Sequence, residues 1–344
     1  MYRRGSMADS KHITMKDVAR EAGVALGTVS KVINGIPVGQ DCQQRVEKAV
    51  ASLGYRVNRQ AQALRSNQNS FVGLILPDLD HPFHAMLADS LCRELARHSR
   101  QMLLFLTNGE FHLEQAYLLL AEQQVTGSVI CLMNHADLRI PNGVPVVSID
   151  RPLGPGIPCV TSDYYRAGYL AAQKLMENGC MNLAFLQAGD SLPDETDKRR
   201  DGFMCACVDA GVPFHSLCLP DGVSSSVLED SLRAHLRDGR PDCDGLFCTT
   251  DALAFQVFHC LNHMGLCVPR DVQIIGCGGM KSPGSQELCC SSIVQPVDEI
   301  AQMCADLVLH PSSRRFSCYL QLPVHYSAGG TTRDRSVSAA AGQH

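Results

Sequence analysis

The sequence predicts a two-part protein: an all-α helix-turn-helix module in the first sixty-odd residues, then an α/β body built on two doubly wound parallel sheets. Three observations carry the prediction. Short amphipathic stretches punctuated by glycine fill the N-terminal part. From residue 71 onward, short apolar runs alternate with longer amphipathic ones. Charge divides at the same place: residues 1–65 hold eleven Lys/Arg against five Asp/Glu, a charge of +6, which leaves −11 for the rest of a chain whose total is −5. At 344 residues the chain is also longer than one hydrophobic core usually organises.

Residues 1–12 carry no apolar period and are expected to be disordered, so the module is placed at 13–56. Thr14 can cap a first helix, with Asp17 three residues on favouring its positive end, and Gly23 stops it. A second helix is read from Gly27 to Asn34, where Asn34-Gly35 supplies a turn. A third runs from Asp41 to Leu53, with Val46, Val50 and Leu53 at helical spacing, and Gly54 ends it. Val18, Val29, Val32 and Val46 are the core of such a unit. In a helix-turn-helix the second helix enters the major groove while the first crosses the backbone. A basic head on an acidic body suits that task.

The motifs are specific. Lys16-Asp17-Val18-Ala19, Ala22-Gly23-Val24, the run from Thr28 to Asn34 and Gly54-Tyr55-Arg56-Val57-Asn58 resemble the signature of the lactose/galactose repressor (LacI/GalR) family. The resemblance implies that Leu26, Gly27 and Lys31 read bases. It implies that Thr28, Ser30, Asn34 and Arg45 hold phosphates or place the helix, with Thr14 and Tyr55 completing the DNA-binding set. Two positions depart from the family pattern: Ala25 stands for the usual capping Ser, and Cys42-Gln43 for the usual Thr-Arg, each removing a phosphate contact. Residues 57–70 match a hinge and linker. Through Asn58, Arg59, Ala61 and Leu64 the resemblance implies a segment that orders as a helix on the operator and wedges a leucine into the minor groove.

Apolar runs at 71–77, 102–106, 127–132, 144–149, 183–186, 245–248, 272–276 and 319–322 read as buried parallel strands with helices between them. Ligands of such sheets bind beyond the carboxyl ends of the strands. The resemblance continues through residues 77–83, 147–152, 160–163 and 199–203, so it covers about 13 to 326. It implies that 71–327 is a bilobed, periplasmic-binding-protein-like domain for effector binding and dimerisation, with lobe crossings near 161, 291 and 322. Phe83, Asp163, Arg199, Thr250 and Gln295 would face the cleft. An aromatic ring can stack on a sugar, a carboxylate accepts from hydroxyls, and a guanidinium donates as a fork. Residue by residue, capping by Asp163, pairing of Arg199 with nearby acids and simple core packing of Phe83 are the alternatives. Thr250-Asp251 stands where the family has Asn-Asp, and Gly278 where it commonly carries an acid. With Lys198, Arg199 and Arg200 clustered, that absence points to an anionic effector, a sugar acid or sugar phosphate. Residues 328–344, rich in Gly, Ser, Ala and Thr, are expected to be disordered.

Other classes are set aside. No apolar run is long enough to span a bilayer, and Met1-Tyr2-Arg3-Arg4-Gly5-Ser6 is followed by polar residues rather than a secretory apolar region, so the expected location is the cytoplasm. The seventeen cysteines are scattered and read as reduced core residues. They form no Cys-x-x-Cys pair, and Asp80-His81-Pro82-Phe83-His84 lacks a partner pair, so no metal is expected. Nucleophile elbows, P-loops and Gly-x-Gly-x-x-Gly fingerprints are missing, so neither an enzyme nor a cofactor is expected. The expectation is a homodimeric, effector-controlled repressor of carbohydrate-metabolism genes on a pseudo-palindromic duplex operator. The rivals are a periplasmic-type solute-binding protein and an enzyme on a doubly wound fold.

Overall fold

The computed structural model describes residues 13–33, 36–55, 70–189, 195–220, 222, 224–237, 240–282, 284–311 and 319–333. The chain divides into two compact units, Met1–Asn69 and Ser70–His344. The segment 1–12 and the hinge residues Asn58, Arg59, Ala61 and Leu64 lie outside the described residues, as does Asn34.

The first unit has three helices, α1 (Met15–Ala22), α2 (Leu26–Ile33) and α3 (Gln40–Leu53). Asp17 anchors the start of α1, its carboxylate accepting from the Thr14 N–H at 2.9 Å and the Thr14 hydroxyl at 2.7 Å. Gly23 and Gly54 end α1 and α3 at φ +61°, the left-handed conformation that suits glycine. Val18, Ala22, Val29, Val46 and Ala49 form the buried centre, and Val32 and Val50 pack against it. The second helix begins at Leu26, one residue before the sequence reading, because the Ala25 carbonyl already accepts from Thr28 and Val29.

The second unit alternates strand and helix: β1 (Phe71–Leu76), α4 (Pro82–Arg97), β2 (Gln101–Leu106), α5 (Phe111–Leu120), β3 (Ser128–Leu132), β4 (Val146–Ile149) and β5 (Cys159–Ser162). There follow α6 (Tyr164–Glu177), β6 (Leu183–Ala188), α7 (Lys198–Ala210), β7 (Phe214–Leu219), α8 (Ser225–Arg233), the small hairpin β8 (Leu236–Arg237) and β9 (Arg240–Pro241), and β10 (Gly245–Cys248). The chain closes with α9 (Asp251–His263), β11 (Gln273–Gly278), β12 (Ser291–Val294), α10 (Val297–Leu309), β13 (Tyr319–Leu322) and β14 (His325–Ser327). One sheet has the order β13-β5-β4-β3-β1-β2 and the other β14-β12-β11-β10-β6-β7. The first is parallel throughout, while β14 lies antiparallel on β12, so the second is parallel in all but one edge strand.

Three crossings join the lobes, each between an element of one sheet or its helices and an element of the other. They fall at residue 163, at 295–296 and at 323–324. The second corrects the reading near 291: Ser291 begins a buried strand, and the chain leaves the second lobe only after Val294. The end of the domain also moves. Thr331 and Thr332 are buried, the Thr331 hydroxyl accepting from Ser291 N–H and donating to the Ile274 carbonyl, and Arg333 N–H donates to Gln273. Residues 328–333 are therefore part of the second lobe rather than of a disordered tail, because their small hydroxylated side chains satisfy buried backbone groups of the sheet. Among the described residues no helix is long and apolar enough to cross a membrane.

Candidate functional site

Two places concentrate the sequence-predicted residues. On α2, Leu26, Gly27 and Lys31 are exposed, Thr28 and Ser30 are half-buried, and Val29 turns into the core. The pairs 26/30 and 27/31 are four apart and so share one helix face. Gly27 stands out because nothing in the fold requires it: an added Cβ would meet no atom within 4 Å, and its φ is ordinary. A glycine inside a helix costs up to about 1 kcal/mol relative to alanine, and nothing within the unit offsets that cost.

Arg45 and Tyr55 do other work. Arg45 reaches back to α1, its Nε and Nη2 donating to the Ala22 carbonyl at 2.9 and 2.6 Å and its Nη2 to the Gly23 carbonyl at 2.6 Å. A Cβ on Gly23 would sit 2.9 Å from that Nη2, so the glycine makes room for the clamp. Arg45 thus places the turn. Tyr55 packs half-buried against the core, its N–H donating to Val50. Thr14 is held by Asp17 as described above.

In the body, a cavity of about 150 Å³ opens between the lobes at the carboxyl ends of β1, β4, β10 and β11. Phe83, Arg199, Thr250 and Gln295 line it. Asp163 does not. It caps α6, its carboxylate accepting from the Arg166 N–H at 2.8 Å. That is the alternative the sequence left open, and it prevails because the carboxylate sits at the positive end of the helix that starts the second lobe. Thr250 likewise caps α9 through Leu253, while its side chain stays at the cavity wall.

Arg199 is positioned by glycine. A Cβ at Gly202 would stand 1.9 Å from the Tyr165 carbonyl, and one at Gly168 1.8 Å from the Arg199 carbonyl, so α6 and α7 cross backbone on backbone. The Arg199 guanidinium lies over the Tyr164 ring, 4.9 Å from its centroid, and donates to the carbonyls of Thr249 at 2.7 Å and Thr196 at 3.0 Å. Of the clustered cations Lys198, Arg199 and Arg200, only Arg199 reaches the cavity; Lys198 instead lies near the Tyr319 ring.

Several lining residues were not assigned from the sequence. Asp150 sits at φ +61°, an uncommon conformation for a residue with a Cβ, held by the hydroxyls of Thr161 and Tyr164, each 2.9 Å away. The Tyr164 hydroxyl also accepts from Gln295 Nε2 at 3.0 Å, and the same amide donates to Ser162 at 3.1 Å. Arg151 lines the cavity too. Burial pushes His81 down to about 4, the charges of His84 and Arg199 adding to the shift, and burial also lowers His84. Both rings are neutral near pH 7. The 147–152 motif holds Asp150 and Arg151, and Tyr164 directly follows Asp163; an uncommon φ and a ring beneath a guanidinium are not visible in a string of letters.

Gly278 is more than a missing acid. It lies at φ +141°, and a Cβ there would be 3.2 Å from Asp251 Oδ2. Asp251 is buried, which raises its pKa, although N–H groups of Met280 and Gly279, each at 2.6 Å, and the Ser292 hydroxyl at 2.7 Å favour its charged form. The loop after β11 is tied to Asp251 in a shape that asks for glycine at 278.

The comparisons agree on the architecture. A model of bacterial regulatory proteins of the lacI family matches residues 14–58, and a model of periplasmic binding proteins and the sugar-binding domain of that family matches residues 69–317. The ribose operon repressor of Bacillus subtilis is 32% identical over 93% of this chain and 98% of its own length. Catabolite control protein A of Priestia megaterium is 30% identical over 91% and 97%. Among solved structures, the lac repressor dimer bound to operator and an anti-inducer superposes with TM-score 0.80 at 19% identity, covering 94% of this chain and all of that one. A CelR–cellobiose complex superposes at 0.64 with 23% identity, covering 93% and 99%. The helix-turn-helix match tells against the solute-binding rival. The chain belongs to the lacI family of bacterial regulatory proteins, DNA-binding repressors rather than enzymes.

Proposed function

We propose that the chain acts as a cytoplasmic homodimeric repressor that reads a pseudo-palindromic duplex operator with α2 of each copy, under the control of a small anionic carbohydrate derivative held between the lobes. Relatives named as ribose and sucrose operon repressors support the carbohydrate class. On α2, Leu26, Gly27 and Lys31 meet base edges, and Thr28 and Ser30 meet phosphate; the unexplained glycine at 27 supports close approach of a partner. In the body, the observation that carries the reading is the Arg199 guanidinium held at the cavity wall, where it can fork to a carboxylate or phosphate beside Arg151. The glycine at 278 removes the acid that would repel such a group. Asp150 remains to accept from hydroxyls.

Ligand binding in the cavity biases the crossings. The chain Asp150–Tyr164–Gln295–Ser162 ties the cavity wall to residues flanking the crossings at 163 and 295–296, so a ligand that engages Asp150 or Arg199 favours one lobe arrangement. The segment 57–66 carries that bias to the operator, and the two binding free energies are reciprocally linked.

A thermal-shift panel of neutral sugars, sugar acids and sugar phosphates tests the effector class. Stabilisation by anionic members that is lost in Arg199→Ala is expected. Stabilisation by neutral sugars alone would overturn it. Selection of bound duplexes from a random pool tests the operator, with paired inverted half-sites expected.

A further inference from the structure

Away from the cleft, the edge strand β7 and the base of the β8–β9 hairpin bring together side chains that neither the fold nor the cavity explains. His215 lies on β7, and His235, Asp242 and Cys243 flank the hairpin. One ligand atom from each of His215, Asp242 and Cys243 falls within 4.8 Å of the other two. Among the described residues three buried side-chain polar atoms have no hydrogen-bond partner, and two of them are here: His215 Nε2 and Asp242 Oδ1, which face each other at 3.5 Å.

That separation is long for a hydrogen bond but right for two ligands of one metal. Tetrahedral zinc with Zn–N and Zn–O near 2.0–2.2 Å and Zn–S near 2.3 Å puts neighbouring ligand atoms about 3.3–3.6 Å apart. The thiol closes the remaining gap with a shift of about an ångström. His235 supplies the outer support that metal sites use. Its Nδ1 is 3.0 Å from Asp242 Oδ2, and its ring stacks on that of His215 with centroids 5.0 Å apart and planes 8° from parallel. Asp242 thus has one oxygen engaged by His235 and the other turned to the orphaned histidine nitrogen.

We propose that His215, Asp242 and Cys243 bind a zinc-class divalent cation, with His235 orienting Asp242 and one coordination position left for water. Imidazole, carboxylate and thiolate together select a borderline metal over calcium or magnesium. Binding uses the lone pair on His215 Nε2 and releases the Cys243 thiol proton to solvent, forming a thiolate–metal bond without any redox step. The metal would staple the hairpin base to the edge strand. The donors sit at 215, 242 and 243 with no motif spacing, which is why no metal was expected from the sequence.

The test is cobalt titration of the untagged, chelator-treated full chain. One equivalent per chain is expected, with thiolate-to-cobalt charge-transfer absorption that zinc displaces and a melting temperature that rises with metal. Cys243→Ser abolishes the charge-transfer absorption, His215→Gln weakens binding at least about 100-fold and His235→Ala about 10–100-fold, each with its metal-free circular dichroism unchanged. Cys218→Ser, which removes an exposed thiol on the same strand, keeps the full spectrum and affinity. Absence of stoichiometric uptake by the folded wild-type chain overturns the proposal, as does the same spectrum and affinity in Cys243→Ser and His215→Gln. A Cys243→Ser or His215→Gln chain that fails to fold passes the decision to His235→Ala, where unchanged affinity also overturns it.

Discussion

The DNA-reading unit and the interlobe cavity draw their working residues from the chain in opposite ways. On α2 the residues proposed to meet DNA lie between Leu26 and Lys31, on a helix whose opposite side buries Val29. The cavity instead gathers Phe83, Asp150, Tyr164, Arg199, Thr250 and Gln295 from separate strand ends. One site is a face of a single element. The other exists only once two sheets have folded and α6 has met α7. Failures of packing should therefore erase the second site while sparing the first, whose helix packs on a small core of its own.

The largest effect is expected from Gly202→Ala. Its Cβ collides with the Tyr165 carbonyl, where backbone cannot yield, so the expected loss is about 3 kcal/mol or more. Calorimetry should show the transition of the body falling while duplex binding by α2 survives at low temperature. Unchanged ligand binding would mean that α7 can move without displacing Arg199.

Arg45→Ala comes next. If the clamp onto Ala22 and Gly23 is its task, the first unit loses about 1.5–3 kcal/mol, read by thermal unfolding without DNA. A residue that only held phosphate would leave that melting unchanged and reduce the salt slope of binding by about one. Lys31→Ala should cost about 1–3 kcal/mol of discrimination between operator and mismatched duplexes, with the fold intact; a uniform loss on all duplexes would place Lys31 on phosphate instead.

His81 ties the stability of the body to pH. Between the ordinary imidazole value of 6.5 and about 4, the unfolded chain binds a proton that the folded chain refuses, so stability falls on acidification through that window. The slope is at most about 1.4 kcal/mol per pH unit and vanishes above the window. His81→Gln should flatten the melting temperature between pH 6.5 and 4, and a slope equal to that of the wild type would remove His81 as its source.

What could be read from the sequence follows the same division. Gly23, Gly54 and the Thr14–Asp17 pair mark helix ends by local chemistry, and the central apolar strands announce themselves because both faces are buried, whereas β2 and β13, also read as buried, are half-exposed strands at the two edges of the first sheet. β7, β12 and β14 gave little signal: the first is a half-exposed edge, the second opens with two serines, and the third has only three residues. Thr331 and Thr332 look like tail residues until the carbonyl of Ile274 and the backbone of Ser291 need partners. In the cavity, Phe83, Arg199, Thr250 and Gln295 were legible in the sequence, whereas Asp163 caps α6 and the adjacent Tyr164 lines the cavity in its place. Which of two adjacent residues caps a helix and which points inward depends on where the chain crosses between lobes.

A single titration tests whether one molecule couples a cavity ligand to operator binding. Operator affinity is measured by fluorescence anisotropy on a selected palindromic duplex, with and without the ligand that raises the melting temperature most, for the wild type and Arg199→Ala. A shift in operator Kd of about 10-fold or more is expected in the wild type, in keeping with a coupling of about 1–3 kcal/mol, and no shift in Arg199→Ala. An equal shift in both proteins, or a wild-type operator affinity indifferent to a ligand that binds, would contradict it.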